Sequence, residues 1–518
     1  MENTSIFALM SVLVSLNRAE ELTGSEILIK TDTVNLILIK LVSKKILVIT
    51  IVVIAIILFA YLDQSFKSAV LPLTAVSRND PYVTEYSLPS GSAPNGLVVD
   101  KSGLVWITSQ NATLYSIDPE NGQVKNYEIK GGMTSYEKPH VNSSMVWAIV
   151  QGGDGNIWFS PLGTTSVWQF DPSSGIFDSY RSETGAPFQI KAASDGKIWF
   201  TTLRGDTIGV VEKLQNDTYT VSTFDTLPHA NPAGLFLQND SIWVANVGSQ
   251  DIFQYKINQD NYTVKDISII KKIPKDNTTL FSSPTDLFVD RNTLWLTEHG
   301  TSFLTSYDLG SGKITRYPTS QNTFSTTTLP FWIRGTNDPK VLWFNEHQGN
   351  KIGRFDVYNK TLTEYSIPSL PKDGYLTYPL NISQDPLDEK TLWFSEWNTD
   401  KVGVINGHVS VPFEINLNST QMTLSPFSTP VVDLKIMGDA HGSNPIFLNA
   451  SSSITPTAEL GNLIVKFSSH VVTLPHDASI QVSMSDDGVA PGNYTVGISA
   501  SDGLVTTTKF LDLSVLTK

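Results

Sequence analysis

The sequence predicts an all-β protein: a seven-bladed β-propeller followed by a C-terminal β-sandwich, preceded by one transmembrane helix. Three observations carry this. An aliphatic-Trp-apolar triplet recurs seven times at spacings of 41 to 52 residues. The last hundred residues keep strand-like alternation but lack the triplet. One long uncharged run, Ile46 to Leu62, stands ahead of both. The composition agrees. Apolar residues make up 40% of the 518 and charged residues 17%, enough for packed cores and unlike a disordered chain. The net charge of -14 works against nucleic-acid phosphates, and the absence of cysteine excludes disulfides, thiol catalysis and Cys-ligated zinc.

In chain order, residues 1–43 read as a cytoplasmic N-terminal tail with no assigned function. Residues 44–62 read as the membrane span. As a helix, Ile46 to Leu62 covers about 25 Å, the short end of what crosses a bilayer. Lys40, Lys44 and Lys45 flank its start and Asp63 its end, so the positive-inside bias places the C-terminal domains outside the cell. A cleaved signal peptide is the rival reading. Eleven Asn-x-Ser/Thr sequons, from Asn111 to Asn493, fit an exported glycoprotein. Residues 63–80 read as a linker.

Residues 81–408 carry the repeat. Its tryptophans are Trp106, Trp158, Trp199, Trp243, Trp295, Trp343 and Trp393. Each unit reads as four strands. The first follows a small-Pro-x-x-aliphatic entry such as Asn231-Pro232-Ala233-Gly234-Leu235, and the Trp strand comes second. A third resembles Asn350 to Asp356, and a fourth alternates as in Leu362 to Ile367. Four strands per 40–50 residues, seven times over, is a propeller. After Trp393 the fourth strand is missing. It stands before the first unit instead, as Val83-Thr84-Glu85-Tyr86, so the N-terminal strand should complete blade seven and close the ring. Residues 409–518 read as a linker and an Ig-like sandwich closed by a hairpin, Pro491 to Ala500 and Thr506 to Val515.

The repeat resembles the streptogramin (virginiamycin B) lyase propellers. Blade six carries the pattern most fully: Leu342-Trp343-Phe344-Asn345-Glu346, Asn350 to Arg354, and Thr363 to Pro368. The resemblance implies an enzyme that opens a cyclic depsipeptide ester by elimination. A His acts as base, and carboxylates hold a Mg²⁺ that polarises the substrate. In the family the His follows the Pro that opens the last two blades. Here Phe331 and Leu380 take those positions and Tyr378 stands where a Glu precedes the Pro, so the lyase apparatus does not carry over.

The residue three after each repeat Trp is Ser109, Pro161, Thr202, Asn246, Glu298, Glu346 and Glu396 in turn. Three adjacent blades thus offer carboxylates, with His299 and His347 beside two of them. Such a set could hold Mg²⁺ or Ca²⁺, or it could be a plain part of the repeat that bonds a neighbouring blade. Trp147, Trp168, Trp332 and Trp397 break the repeat. Trp332 and Trp397, nearest the acidic blades, are candidate ligand contacts. His140 and His229 read as loop histidines. No G-x-S-x-G, H-E-x-x-H, Walker or dinucleotide-binding pattern is present. The expected function is recognition of an extracellular ligand, glycan or protein at the propeller mouth by a membrane-anchored protein. The alternative is a metal-assisted lyase or a lactonase-type hydrolase using the acidic side of the channel.

Overall fold

Each Trp strand is buried on both faces, which makes it the interior strand of a sheet. In blade 6 the order is Pro330–Gly335, Val341–Glu346, Lys351–Asp356 and Thr361–Ser366, each pair antiparallel. Six sheets repeat this plan from Pro94 to Ser366. The seventh combines Pro379–Gln384, Thr391–Glu396 and Lys401–Asn406 with Val83–Ser87. Val83 pairs with Ile405 and Ser87 with Lys401, so the N-terminal strand does close the ring. The innermost strands pack in a cycle, that of blade 7 against that of blade 1. The computed structural model describes residues 70–72, 74–76 and 80–517. Excepted within that range are 130–145, 162, 239–240, 259–263, 271–280, 322–324, 326, 337–339, 371–376, 439–444, 455–461 and 477–478. The tail and transmembrane helix read over residues 1–62 lie outside the described residues, as does His140. No helix among the described residues is long and apolar enough to cross a membrane.

Two devices of the repeat hold the ring. Each Trp packs into the next blade: Trp393 lies with Leu97, Val99 and Val105 of blade 1, and Trp295 with Ile333 and Leu342 of blade 6. Four of them stack on the Tyr of their own outer strand, as Trp393 does on Tyr86 at 5.7 Å. The residue after Trp faces the other side of the sheet. There the Phe344 ring lies across Gly353, where a Cβ would sit 2.4 Å from it, so the third strand needs glycine. Two residues beyond the Trp, a hydroxyl bonds the next blade's backbone: Ser160 to the Phe188 carbonyl (2.7 Å), Thr201 to Ala233 (2.8 Å) and Ser395 to Asn95 (2.6 Å). The connections are clamped as well. Asp206 and Asp400, both in left-handed backbone, accept amides of the chain leading into the next blade, from His229 and Asn231 and from Gly91 and Ala93.

The C-terminal region is a two-sheet sandwich. Phe413–Leu417, Val431–Gly438, Ile480–Asp487 and Asn462–Phe467 form one sheet. Val505–Val515, Gly492–Ser501 and Ile446–Ser452 form the core of the other. Leu434, Val482, Val496 and Leu511 are among the side chains buried between them. Val505–Val515 also pairs antiparallel with the outer strand of blade 6, Tyr365 against Val505 and Thr361 against Lys509. One sheet therefore runs from propeller into sandwich. Phe510 seals the junction, 5.1 Å from Tyr317 and 6.1 Å from Phe355. The added strand covers an open blade edge. Val70–Pro72 and Thr74–Val76 do the same for blades 1 and 7.

Candidate functional site at the propeller mouth

In six blades the first strand bulges just after its opening Pro or Val, at the mouth of the channel, and that of blade 3 does not. Large side chains from three blades meet there. Trp147 of blade 2 lies 5.5 Å from Phe188 of blade 3 and 5.6 Å from Phe331 of blade 6. Phe188 lies 5.8 Å from Trp332. Contact between blades 2 and 6 crosses the ring, so aromatic carbon fills this end of the channel. Asn381 of blade 7 donates to the Trp147 carbonyl at 3.0 Å and closes the remaining side. Asn381 is a sequon residue, yet it is buried. Asn111, Asn216, Asn359, Asn418, Asn449 and Asn493 are exposed.

The histidines join this plug. His347 lies 4.0 Å from the Phe331 ring and edge-on to His299 at 5.1 Å. His299 has its Nδ1 3.3 Å from the Pro330 carbonyl. Burial holds both imidazoles below their ordinary pKa, His347 far below with His299 adding to it, so both are neutral near pH 7.

The carboxylates point elsewhere. Glu298, Glu346 and Glu396 end their strands three residues past the Trp, on the face of the sheet that carries Phe344 and Phe394. They turn into their own blades. Glu298 accepts from Arg316 Nε (2.8 Å), Thr305 Oγ1 (2.5 Å) and the Ser282 amide (2.7 Å). Glu346 faces Glu364, with Lys351 3.5 Å from Glu364. Glu396 faces Glu85, with Lys401 3.3 Å from Glu85, and accepts from Thr399 Oγ1 at 2.8 Å. Burial first, then the second carboxyl, pushes Glu346 well up and Glu396 to about 8, against the pull of the lysines.

The expected cation site of Glu298, His299, Glu346, His347 and Glu396 is therefore not assembled. Successive strand residues face opposite ways, and each Glu is turned toward an outer-strand partner of its own blade: Arg316, Glu364 or Glu85. No group of three or more His, Asp or Glu side chains among the described residues is placed to hold a metal ion. Of the two expected ligand aromatics, Trp332 is 0% exposed and belongs to the plug. Trp397 is part-exposed beside the mouth, its indole bonding Gln110 at 3.0 Å and its ring 6.1 Å from Tyr378. Trp168 is buried in blade 2, and His229 sits in an exposed loop. Sequence reasoning missed Trp147 and Phe188 as plug residues. The signal was their place at the entry to a blade: Trp147 is second in Val146–Gln151, and Phe188 follows Pro187 just ahead of Ile190–Ala192, as Phe331 and Leu380 follow Pro330 and Pro379.

Residues 83–318 match the virginiamycin B lyase family. The selenomethionine-substituted virginiamycin B lyase from Staphylococcus aureus is 23% identical over 62% of this chain and 98% of its own, with a TM-score of 0.49. A catalytically inactive form of the S. aureus lyase with quinupristin is 25% identical at the same coverage and TM-score. The WD40 repeats of RRP9 are 10% identical over 64% of this chain and 99% of that one, with a TM-score of 0.46. Among curated proteins, none matches the chain.

Proposed function

We propose that this chain, whose propeller is of the streptogramin lyase-like family, is a membrane-anchored extracytoplasmic binding protein rather than a lyase. One observation carries the reading. At the mouth, where the family keeps its base, Phe331 is packed between His347 and Trp147, and Leu380 takes the corresponding place in blade 7. Neither side chain can move a proton, and without a base elimination loses a factor of about 10²–10⁴. Glu396, the acidic residue of the last blade, is engaged by Glu85 and Thr399 inside its sheet. Beside the plug, Trp397 and Tyr378 leave an edge-to-face aromatic pair part-exposed, a surface suited to stacking on a sugar or peptide ring.

The anchor rests on the uncharged run Ile46 to Leu62 and its lysine flank, and the outside placement on that flank and the exposed sequons. Purified protein incubated with a streptogramin B antibiotic and Mg²⁺ should leave the ring closed by mass. Turnover comparable to a true lyase would overturn the reading. Protease added to intact cells should remove a propeller epitope, and its protection would reverse the topology.

A further inference from the structure

The channel's far end differs from its mouth. The first-strand residue opposite each repeat Trp is apolar in four blades: Val98, Val150, Phe236 and Phe288. In blades 3 and 6 it is Lys191 and Arg334. A cavity of 270 Å³ opens here across blades 3 to 6, and both cations line it. Its walls are otherwise carbon, from Phe236, Leu237, Leu287, Phe288 and Ile333.

The charges within this site do not balance. Asp286 is fully buried and accepts four bonds, from Arg334 Nη1 (2.8 Å), Gln189 Nε2 (2.8 Å), the Leu287 amide (3.0 Å) and the Ile333 amide (3.1 Å). That cancels Arg334 and, among the described residues that line the cavity, leaves the Lys191 ammonium as surplus positive charge. A cation in a carbon-walled cavity is costly unless an anion joins it.

We propose that this cavity binds a small organic carboxylate with an apolar tail, its head group on Lys191 and Arg334 and its tail on the Leu237, Leu287 and Phe288 wall. The site is independent of the mouth and of the function proposed above. The volume, just under that of a drug-sized pocket, suits a tail of a few carbons. Burial, with Arg334 adding and Asp286 opposing, draws Lys191 down to about 8, so at pH 7 it is an ammonium that holds the carboxylate and above pH 8 it loses that charge and releases it.

Hexanoate is the probe, titrated calorimetrically into the full-length chain in detergent. A dissociation constant of about 1 mM or tighter is expected. Hexanamide, the same shape without charge, should bind at least tenfold more weakly, as should hexanoate to the Lys191→Met variant. Binding should weaken between pH 7 and 9. A second readout uses the unmodified protein: hexanoate, not hexanamide, should slow acetylation of Lys191 read by peptide mass. No binding at 10 mM, equal affinity for the two probes, or undiminished binding to a folded Lys191→Met variant overturns the proposal. Should that variant fail to fold, unprotected Lys191 in the unmodified chain overturns it.

Discussion

Replacing Glu396 by Gln should make the protein more stable, by a margin that opens above about pH 4.5 and is widest at alkaline pH. Glu396, Glu85 and Lys401 bring two carboxyls and one ammonium into the interior of blade 7. One carboxylate can be balanced, so the other keeps its proton, and Glu396 rises to about 8 from the 4.5 of an exposed glutamate. Between those values the folded chain holds a proton that the unfolded chain has lost. Stability is then full below about pH 4.5, falls as pH rises from there to about 8 and levels off above it, by on the order of 5 kcal/mol in all. Gln keeps the shape and the acceptor for Thr399 without the titration. Thermal melts of variant and parent followed by Trp fluorescence from pH 5 to 9 should coincide more closely at pH 5 and diverge upward, the variant melting higher at pH 9. Glu298→Gln supplies the contrast at the same repeat position. It strips Arg316 of its carboxylate and should cost about 3 kcal/mol at a position where no second carboxyl is removed with it. A gap between Glu396→Gln and parent that is constant with pH, or destabilisation at every pH, would refute the shared-proton account.

The seven blades and their closure were legible because they rest on local signals that repeat. A Trp every 41 to 52 residues marks the strand that packs on the next blade, and the Thr-Glu-Tyr strand displaced to the N-terminus marks the join. The docking of the sandwich onto blade 6 was not legible. Thr361–Ser366 and Val505–Val515 alternate as any strands do, and alternation fixes which side chains face inward, not which backbone edge a strand will pair with.

The acidic ring was misread through parity. Equal spacing from the Trp does place Glu298, Glu346 and Glu396 at equivalent points of three blades. Three residues on from a side chain that packs against the next blade, the period of two directs them to the opposite face, toward Arg316, Glu364 and Glu85 of their own outer strands. Parity applied to the motif would have shown this. The aromatic plug lay beyond such reasoning, because Trp147 and Phe331 are neighbours only once the ring has closed between them.

Three further outcomes follow from the packing. Deleting residues 81–89 should open the blade 7 edge and sharply lower the melting temperature or solubility, whereas a melt within error of the parent would show that the join contributes nothing. Phe331→Ala should cost about 3–5 kcal/mol in chemical denaturation, since the ring it removes touches Trp147, Trp332, His299 and His347. Phe510→Ala removes the ring wedged between Tyr317 and Phe355, a loss of about 3–5 kcal/mol borne by the junction, where the five-pair ladder from Thr361 to Tyr365, the Ser366 amide bonded to the Leu504 carbonyl and the Lys509 contacts hold the outer strand of blade 6 to the sandwich. The junction should then loosen before either core, seen as faster amide exchange over 361–366 and 505–510 with unchanged exchange in the Trp strands, and uniform acceleration across the propeller would show instead that Phe510 supports the blades themselves.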